Sequence, residues 1–414
     1  MDARNSSTLV ILSLPPKTFV GLDLVSFNSS PHFQGIAKIP WGIHFLYTGT
    51  DASLSIRQGR WLDLSSANPV QVLGWNTDGE TLQVVDLHDQ TAQNAIKSVS
   101  NGGRLVDYAA LQNATSELST REPKDDDASQ AAAEEGRAES KDWPALTTHI
   151  SPSLLTRILS PDWIISSISS APNDTETIPG LSHLEASNAL HQLPLHLLPV
   201  DLKQTWADGD IGRTRTDRAR DRSWYLGQLI EHAATRPLPG GRGGGDEAAV
   251  GARAVLGELQ FCFLMVLTLA NYSCLEQWKR LLTVLFTCRT ALDEAEAYFV
   301  QAVRVLRLQI KHVDDVEGGL FELRDESASA WLRTLWARFR RLVDDPEKGL
   351  RESLKREVDV LQRLFEEKYG WQSERDILRR GMLELEDGER VEVTMPGVDE
   401  DEETGEYAPV IVET

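Results

Sequence analysis

The first ninety residues alternate apolar and polar positions with the two-residue period of β-strands. In the clearest run, 41–48, the side chains of Trp41, Ile43, Phe45 and Tyr47 alternate with those of Gly42, His44, Leu46 and Thr48. This alternation predicts a strand with one buried face. Similar runs predict strands at 9–14, 18–27, 60–64, 70–75 and 81–87, with a polar turn before residue 41. Asp78-Gly79 links the last two runs and indicates a hairpin. So many short strands predict an antiparallel sandwich or open barrel.

The second half of the chain changes to the period of helices. Apolar residues recur three or four positions apart, which predicts helices at 246–269, 292–312, 327–343 and 349–367. Another helix follows Ser273, which we expect to be its N-cap, with Glu276 as the capping-box partner. The fold class predicted is therefore α+β, with an N-terminal antiparallel β-rich, sandwich-like domain followed by an all-α helical bundle.

Changes in composition predict the domain boundaries. We assign 1–111 and 143–203 to the β-rich domain, 112–142 to a disordered insertion, 204–245 to a linker, 246–383 to the helical domain and 384–414 to an acidic tail with a terminal strand segment. The insertion has almost no large apolar side chains and cannot bury enough surface to fold. Within 143–203, Ser151-Pro152 and Ser160-Pro161 are each expected to open a short helix. The glycines at 240–245 predict a flexible break.

The overall charge restricts the possible partners and compartments. A net charge of −21 argues against general binding to nucleic-acid phosphates, and residues 384–414 alone carry twelve acidic residues against one arginine. Three cysteines without a CxxC pair fit a reducing compartment and core packing. The N-terminus does not resemble a signal peptide, and the longest apolar run, 261–270, is shorter than the ~20 residues of a membrane span.

An arginine-rich segment at 204–222 has two interpretations. Five arginines between Arg213 and Arg222 alternate with Asp217 and Asp221. The segment could be a basic patch for RNA, or a mixed-charge linker with some salt bridges. We favour the linker, because no aromatic stacking residues or RNA-binding fingerprint are expected to accompany the arginines.

The sequence contains no constellation typical of an enzyme, so we expect no catalytic residue, no metal and no cofactor. His44 and Asp23 could form a base and its orienting carboxylate, but a structural hydrogen bond is the preferred interpretation. Glu258 and Gln260 are interpreted as buried polar groups that cap or cross-link helices, which is a structural role. Trp278 is either a core residue, which we favour, or an interface anchor.

Several short motifs resemble those of one protein family. They are Gly21-x-Asp23, Phe33-x-Gly35, Ile39-Pro40-x-Gly42-x-His44-Phe45, Asp221 to Trp224, Gly257 to Gln260 with Phe263, and Leu275 to Trp278. This set resembles the Aar-two splicing-factor family, the a-one cistron splicing factors. Trp41 is a departure, because the family often has a second proline there. The matches cover most of the chain outside the insertion and the tail.

The resemblance implies a fold and a function. It implies a helical domain resembling the VHS fold and a non-enzymatic assembly chaperone in pre-mRNA splicing, in the cytoplasm and the nucleus. The implied partner is the Prp-eight scaffold within a U5 snRNP precursor, bound through its RNase H-like and Jab/MPN-like domains. We expect a monomer without specific nucleic-acid binding and without a membrane. The alternatives are a scaffold or adaptor whose helical domain binds peptides, and an enzyme with an unrecognised site.

The C-terminal residues add a candidate binding segment. An acidic stretch, Asp399 to Glu406, precedes a short β-prone run. This run could fold back on its own β-domain or remain disordered. It could also pair with a sheet edge of the partner, as the resemblance implies. The predicted partner-binding residues are therefore Tyr407, Val410, Ile411 and Val412, together with Trp224 and Trp278.

Overall fold

The protein is described here by a computed structural model. The structure describes residues 6–50, 56–100, 105–112, 142–159, 161–171, 194–235, 247–313, 330–345, 351–371, 379–384 and 390–395. The chain forms two compact units. Unit 1 comprises 1–199, 230–279 and 308–321, and unit 2 comprises 200–229, 280–307 and 322–414. The predicted insertion (apart from its two end residues) and the glycine-rich break at 240–245 lie outside the described residues, as does the end of the acidic tail.

The described residues of unit 1 form two five-stranded sheets. The first sheet has the order β8-β7-β1-β4-β9 and the second the order β10-β6-β5-β2-β3. The strands are β1 Ser6–Leu12, β2 Phe19–Leu22, β3 Val25–Asn28, β4 Gly35–Pro40, β5 Gly42–Gly49, β6 Arg57–Leu64, β7 Val70–Asn76, β8 Thr81–Val84, β9 Val106–Asp107 and β10 Ile164–Ser166. The β-rich, sandwich-like domain is thus confirmed.

Two pairings differ from the antiparallel prediction. β1 runs parallel to β7, and β4 runs parallel to β9, whereas the second sheet is antiparallel throughout. Alternation along a strand specifies which residues share a face, but it does not specify the direction of the neighbouring strand. The direction was therefore not available from the pattern.

The prediction of one strand over 18–27 is wrong. The segment forms the hairpin β2–β3, because Asp23 adopts a left-handed φ of 59° and reverses the chain. Aspartate tolerates this conformation better than most residues. The segment before residue 41, predicted as a turn, contains β4, which pairs with β1 in the other sheet. Gly35 is required there, since a Cβ would lie 2.0 Å from the Leu9 carbonyl oxygen.

The main core of unit 1 lies between the two sheets. Leu9, Ile36 and Leu73 of the first sheet meet Leu22 and Leu46 of the second. The outer face of the first sheet is covered by helix α1, Gln90–Ser100, through Ala92 and its neighbours.

The second sheet is also covered on its outer face. Phe45 and Trp61 pack there, and Trp61 lies 6.1 Å from Trp143 and 5.8 Å from Phe261, measured between ring centroids. The one-buried-face prediction for 41–48 is therefore wrong: residues 44–48 are buried on both faces of β5. Side chains that pack on the outer face come from distant parts of the sequence.

The helical part of the chain begins earlier than the predicted helical domain. The helices after α1 are α2 Trp143–Leu146, α3 Pro152–Ile158, α4 Gly212–Arg220, α5 Ser223–Thr235, α6 Glu247–Leu269, α7 Tyr272–Phe286, α8 Ala291–Glu294, α9 Glu296–Lys311, α10 Ala330–Val343 and α11 Glu352–Tyr369. A helical C-terminal region is thus confirmed. The segment predicted as a linker, 204–245, contains both α4 and α5. Ser151 caps α3 as expected, but β10 follows Pro161 instead of a helix.

The start of α7 also differs from the prediction. Asn271, not Ser273, is the capping residue: its Oδ1 accepts a hydrogen bond of 2.9 Å from the Cys274 N–H. The Asn271 side-chain amide donates to the carbonyl oxygens of Ser166 and Ser169 at 3.0 and 2.8 Å. The asparagine thus satisfies the helix end and ties it to the segment after β10.

Helix α6 is largely buried within unit 1. It is long and apolar enough to span a membrane by length and composition, but 72% of its most apolar window is buried inside the fold. Such burial is typical of a core helix in a globular protein.

Unit 2 has its own aromatic core. Phe286 lies 4.5 Å from Phe339, and Trp336 lies 5.5 Å from Phe365, measured between ring centroids. A further hairpin, β11 Arg379–Glu384 with β12 Arg390–Met395, follows the helices. This hairpin was not predicted. The predicted boundary between the helical domain and the acidic tail, at 383/384, falls within its first strand.

Candidate partner-binding surface

The predicted partner-binding residues occupy different settings. Tyr407, Val410, Ile411 and Val412 lie outside the described residues. Trp224 is half-buried near the start of α5. The Trp278 side chain is only 1% exposed, and its Nε1–H donates a hydrogen bond of 2.9 Å to Gln309 Oε1. The core interpretation of Trp278 is therefore the one that the structure supports.

Trp224 belongs to a basic and aromatic surface centred on α4. None of the side chains of α4 is buried. The Arg218 guanidinium lies 4.3 Å from the Trp224 ring centroid and donates a hydrogen bond of 2.6 Å to Asp210 Oδ2. Arg215 lies 4.4 Å from the ring centroid of Trp206. We call Arg213, Arg215, Arg218 and Arg220, with Trp206 and Trp224, the arginine surface.

The arginine surface corrects one expectation about this segment. Trp206 and Trp224 are the aromatic partners that we did not expect the arginines to have. Both tryptophans flank the arginine run within ten residues of it, so their spacing could have indicated the contacts. A guanidinium stacked on an aromatic ring stays charged and keeps donors available for carboxylates or phosphates. The surface can thus bind an anionic group.

Asp221 fixes the junction between α4 and α5 within unit 2. Its carboxylate accepts hydrogen bonds from the Ser223 hydroxyl at 2.5 Å, from the Thr290 hydroxyl at 2.6 Å and from the Arg289 N–H at 2.8 Å. Burial by itself would raise the pKa of Asp221, but these hydrogen bonds outweigh it and lower the pKa below its usual value. The ionised carboxylate therefore holds the arginine surface in place.

The candidate catalytic pair forms a closed structural network. Asp23 Oδ2 lies 2.7 Å from His44 Nδ1 and accepts the Tyr108 hydroxyl at 2.6 Å, while Asp23 Oδ1 accepts the Phe45 N–H at 2.9 Å. His44 Nε2 lies 2.8 Å from the Pro40 carbonyl oxygen. Since both ring nitrogens face acceptors, both carry a proton.

The protonation of this network agrees with its surroundings. Burial lowers the pKa of His44, but the Asp23 carboxylate and the Pro40 carbonyl outweigh it, so that the pKa is raised above 6.5. Burial also raises the pKa of Tyr108, which keeps its hydroxyl as a donor. A histidine with both nitrogens engaged has no free position to act as a base. The structural interpretation of His44 is confirmed.

The Gly257-to-Gln260 motif cross-links segments of unit 1. Glu258 Oε2 accepts a hydrogen bond of 2.5 Å from Arg157 Nη2, and Glu258 Oε1 accepts 2.8 Å bonds from the Leu198 N–H and from Gln277 Nε2. Burial raises the pKa of Glu258, and the Arg157 guanidinium opposes that rise. Because all three partners are donors, the carboxylate is held ionised.

Gln260 completes the same cross-link. Its Oε1 accepts from the His149 N–H at 2.8 Å, and its Nε2 donates to the Ala145 carbonyl oxygen at 2.9 Å. A Cβ at Gly257 would lie 2.4 Å from the His149 carbonyl oxygen, so the helix approaches this loop too closely for a side chain. The predicted structural role of Glu258 and Gln260 is confirmed.

The described residues contain no group of three or more His, Cys, Asp or Glu side chains that could hold a metal ion. Cys262, Cys274 and Cys288 are buried and form no disulfide, which agrees with the core-packing interpretation. Burial raises the pKa of the Cys288 thiol.

Two family models match the chain. The model described as the AAR2 N-terminal domain matches residues 5–160, and the one described as the AAR2 C-terminal repeat region matches residues 197–374. The chain belongs to the AAR2 family. The two matches include all strands of the two sheets of unit 1 except β10, together with the arginine surface and the Gly257-to-Gln260 motif.

Curated relatives agree with this family. The chain is 24% identical over 323 residues to "Protein AAR2 homolog" of Mus musculus, covering 74% of this chain and 76% of the relative. It is 24% identical over 318 residues to the Homo sapiens protein of that name, with the same coverage. The Caenorhabditis elegans protein is 23% identical over 327 residues, which cover 74% and 79% of the two chains. Membership of the AAR2 family supports a splicing-related function.

Proposed function

We propose that this AAR2 protein is an assembly chaperone of the Prp-eight scaffold during U5 snRNP biogenesis. The observation that carries the proposal is the pair of family models, which together match most of the chain, from its N-terminal sheets to its last long helix. The chaperone acts by binding and not by catalysis. It holds the RNase H-like and Jab/MPN-like domains of Prp-eight, works as a monomer in the cytoplasm and the nucleus, and binds no specific nucleic acid.

The rigid interior of unit 1 supports a binding role. Both ring nitrogens of His44, the candidate base, are in hydrogen-bond contacts, and the Glu258 carboxylate accepts hydrogen bonds from three donors. These polar groups preorganise the fold, and a preorganised surface loses less conformational freedom when it binds a partner. The arginine surface offers exposed charge that can steer a partner or fix its orientation.

In the second part of the proposal, Val410, Ile411 and Val412 add a strand to a sheet edge of the partner. A strand added in this way gains main-chain hydrogen bonds and side-chain pockets on alternate positions. Both units then contact the partner together, so that the binding surface is composite.

Purification of the chain from its own cells tests the proposal. Proteins that co-elute are identified by mass spectrometry, with a culture that lacks the tagged chain as the control. A dominant, very large spliceosomal partner is the expected result. Co-elution with signalling proteins alone would contradict the proposal and would support the alternative, an adaptor whose helical domain binds peptides.

A further inference from the structure

The arginine surface has a charge opposite to that of the chain. Helix α4 carries four arginines against the single carboxylate of Asp217, whereas the whole chain has a net charge of −21. The Arg213 side chain is 95% exposed. Ile211, which precedes the helix, is 83% exposed. An acidic segment could complement the charge of such an exposed basic helix.

One acidic segment belongs to the same unit. Residues 399–406 carry six carboxylates in eight positions. They follow β12 in unit 2, which also contains α4. Residues 396–406 can span up to about 40 Å from Met395 at ~3.5 Å per residue. A compact body of about 150 residues has a radius of gyration of about 15 Å. The end of the segment can therefore reach positions up to about 40 Å from Met395, well beyond the radius of gyration of the unit.

We propose that the acidic segment Asp399 to Glu406 docks on the arginine surface of its own chain. A segment tethered at this distance has an effective concentration on the order of 1 mM, so even weak charge pairs populate the docked state. Arg215 and Arg218 are held by their tryptophans, and this preorganisation lowers the entropy cost of docking.

The docking also bears on the partner. Val410 to Val412 begin four residues after Glu406. Docking would therefore keep this segment on its own chain until a partner with a basic surface binds the acidic residues. This consequence rests on the proposed function, whereas the docking itself does not.

A distance measurement on the full chain tests the docking. The three native cysteines are buried, so Thr214→Cys on α4 and Thr404→Cys in the tail can carry spin labels for pulsed electron resonance. A population at short distance is expected at low salt. It should disappear near 1 M salt, where the Debye length is about 3 Å.

Charge variants identify the site. Arg213→Glu with Arg220→Glu should reduce the short-distance population about fivefold or more, the order expected for losing two exposed charge pairs. Arg333→Glu with Arg356→Glu makes the same change of net charge on exposed positions of α10 and α11, and should leave the population unchanged.

Substitutions in the tail test the docking without changing the described part of the fold. Asp401→Asn, Glu402→Gln and Glu403→Gln alter none of the described residues and should release the tail to the same extent. A broad distance distribution that changes neither with salt nor with either set of variants would overturn the proposal. Equal effects of the two pairs of arginine substitutions would overturn it as well. If the short distance is absent and a uridylate oligonucleotide binds α4 instead, the surface is a nucleic-acid site. Partner binding is not involved, so this result and the proposed function can fail separately.

Discussion

The replacement Glu258→Gln should destabilise unit 1 strongly although it is conservative in shape. The Glu258 side chain is fully buried and the Arg157 side chain is 8% exposed. Removing the negative charge leaves the Arg157 guanidinium buried without a counter-ion. Breaking a buried ion pair in this way costs about 3–5 kcal/mol of unfolding free energy.

Thermal unfolding measures this cost. For a body of 150–250 residues, each kcal/mol lowers Tm by roughly 2–4 °C, so Glu258→Gln should lower Tm by roughly 6–20 °C. Near-ultraviolet circular dichroism follows the transition, since tryptophans pack throughout unit 1. Glu247→Gln is the control, because Glu247 is an exposed residue in the first turn of the same helix. Its loss should cost about 0.3–1 kcal/mol.

A double replacement separates charge from shape. Arg157→Met combined with Glu258→Met removes both charges and should recover part of the lost stability, because no uncompensated charge remains. If Glu258→Gln lowers Tm no more than Glu247→Gln does, the buried Arg157–Glu258 pair does not stabilise unit 1. A double variant less stable than Glu258→Gln would show that the uncompensated Arg157 charge is not the cause of the loss.

Three further outcomes are expected. Because the pKa of His44 is raised in the folded state, its pairing with Asp23 stabilises the fold fully below pH 6.5, and this contribution is lost as the pH rises through the folded-state pKa. Tm should therefore fall more steeply between pH 6 and 9 in the wild type than in His44→Gln. Parallel Tm profiles of the two proteins would contradict this expectation. Gly35→Ala should lower the free energy of unfolding by about 1–3 kcal/mol more than Gly42→Ala. Both glycines have a φ of 144°, but only at Gly35 would the added Cβ meet backbone atoms. Equal urea midpoints for the two variants would show that this close approach is not the cause. Truncation after Glu406 should leave Tm unchanged and speed partner dissociation, and Ile411→Pro should act similarly by removing a backbone donor; unchanged dissociation rates in both would exclude the shared strand.

The predictions succeeded where one local pattern determines the structure. The helices at 247–269, 296–311, 330–343 and 352–369 follow from apolar stripes three or four residues apart, which any helix that buries one face must have. Glu258 and Gln260 were identified as cross-links because buried polar groups in a helix require partners.

The failures depend on contacts distant in sequence or on backbone conformation. The left-handed turn at Asp23 lies inside an apolar run, so the hairpin β2–β3 was predicted as one strand. The outer face of β5 is buried by Trp61, whose neighbours Trp143 and Phe261 come from distant segments. Helix α4 has no buried side chain, so no apolar period could reveal it. The hairpin β11–β12 contains Asp387-Gly388 in its link, the same turn signal that identified β7–β8.

The most direct test of the account is a binding titration of the purified full chain against a Prp-eight fragment that contains the RNase H-like and Jab/MPN-like domains. Biolayer interferometry gives the association and dissociation rates for the full chain. A stable one-to-one complex is the expected result. An absence of binding by a folded chain to a folded fragment would contradict the proposed function.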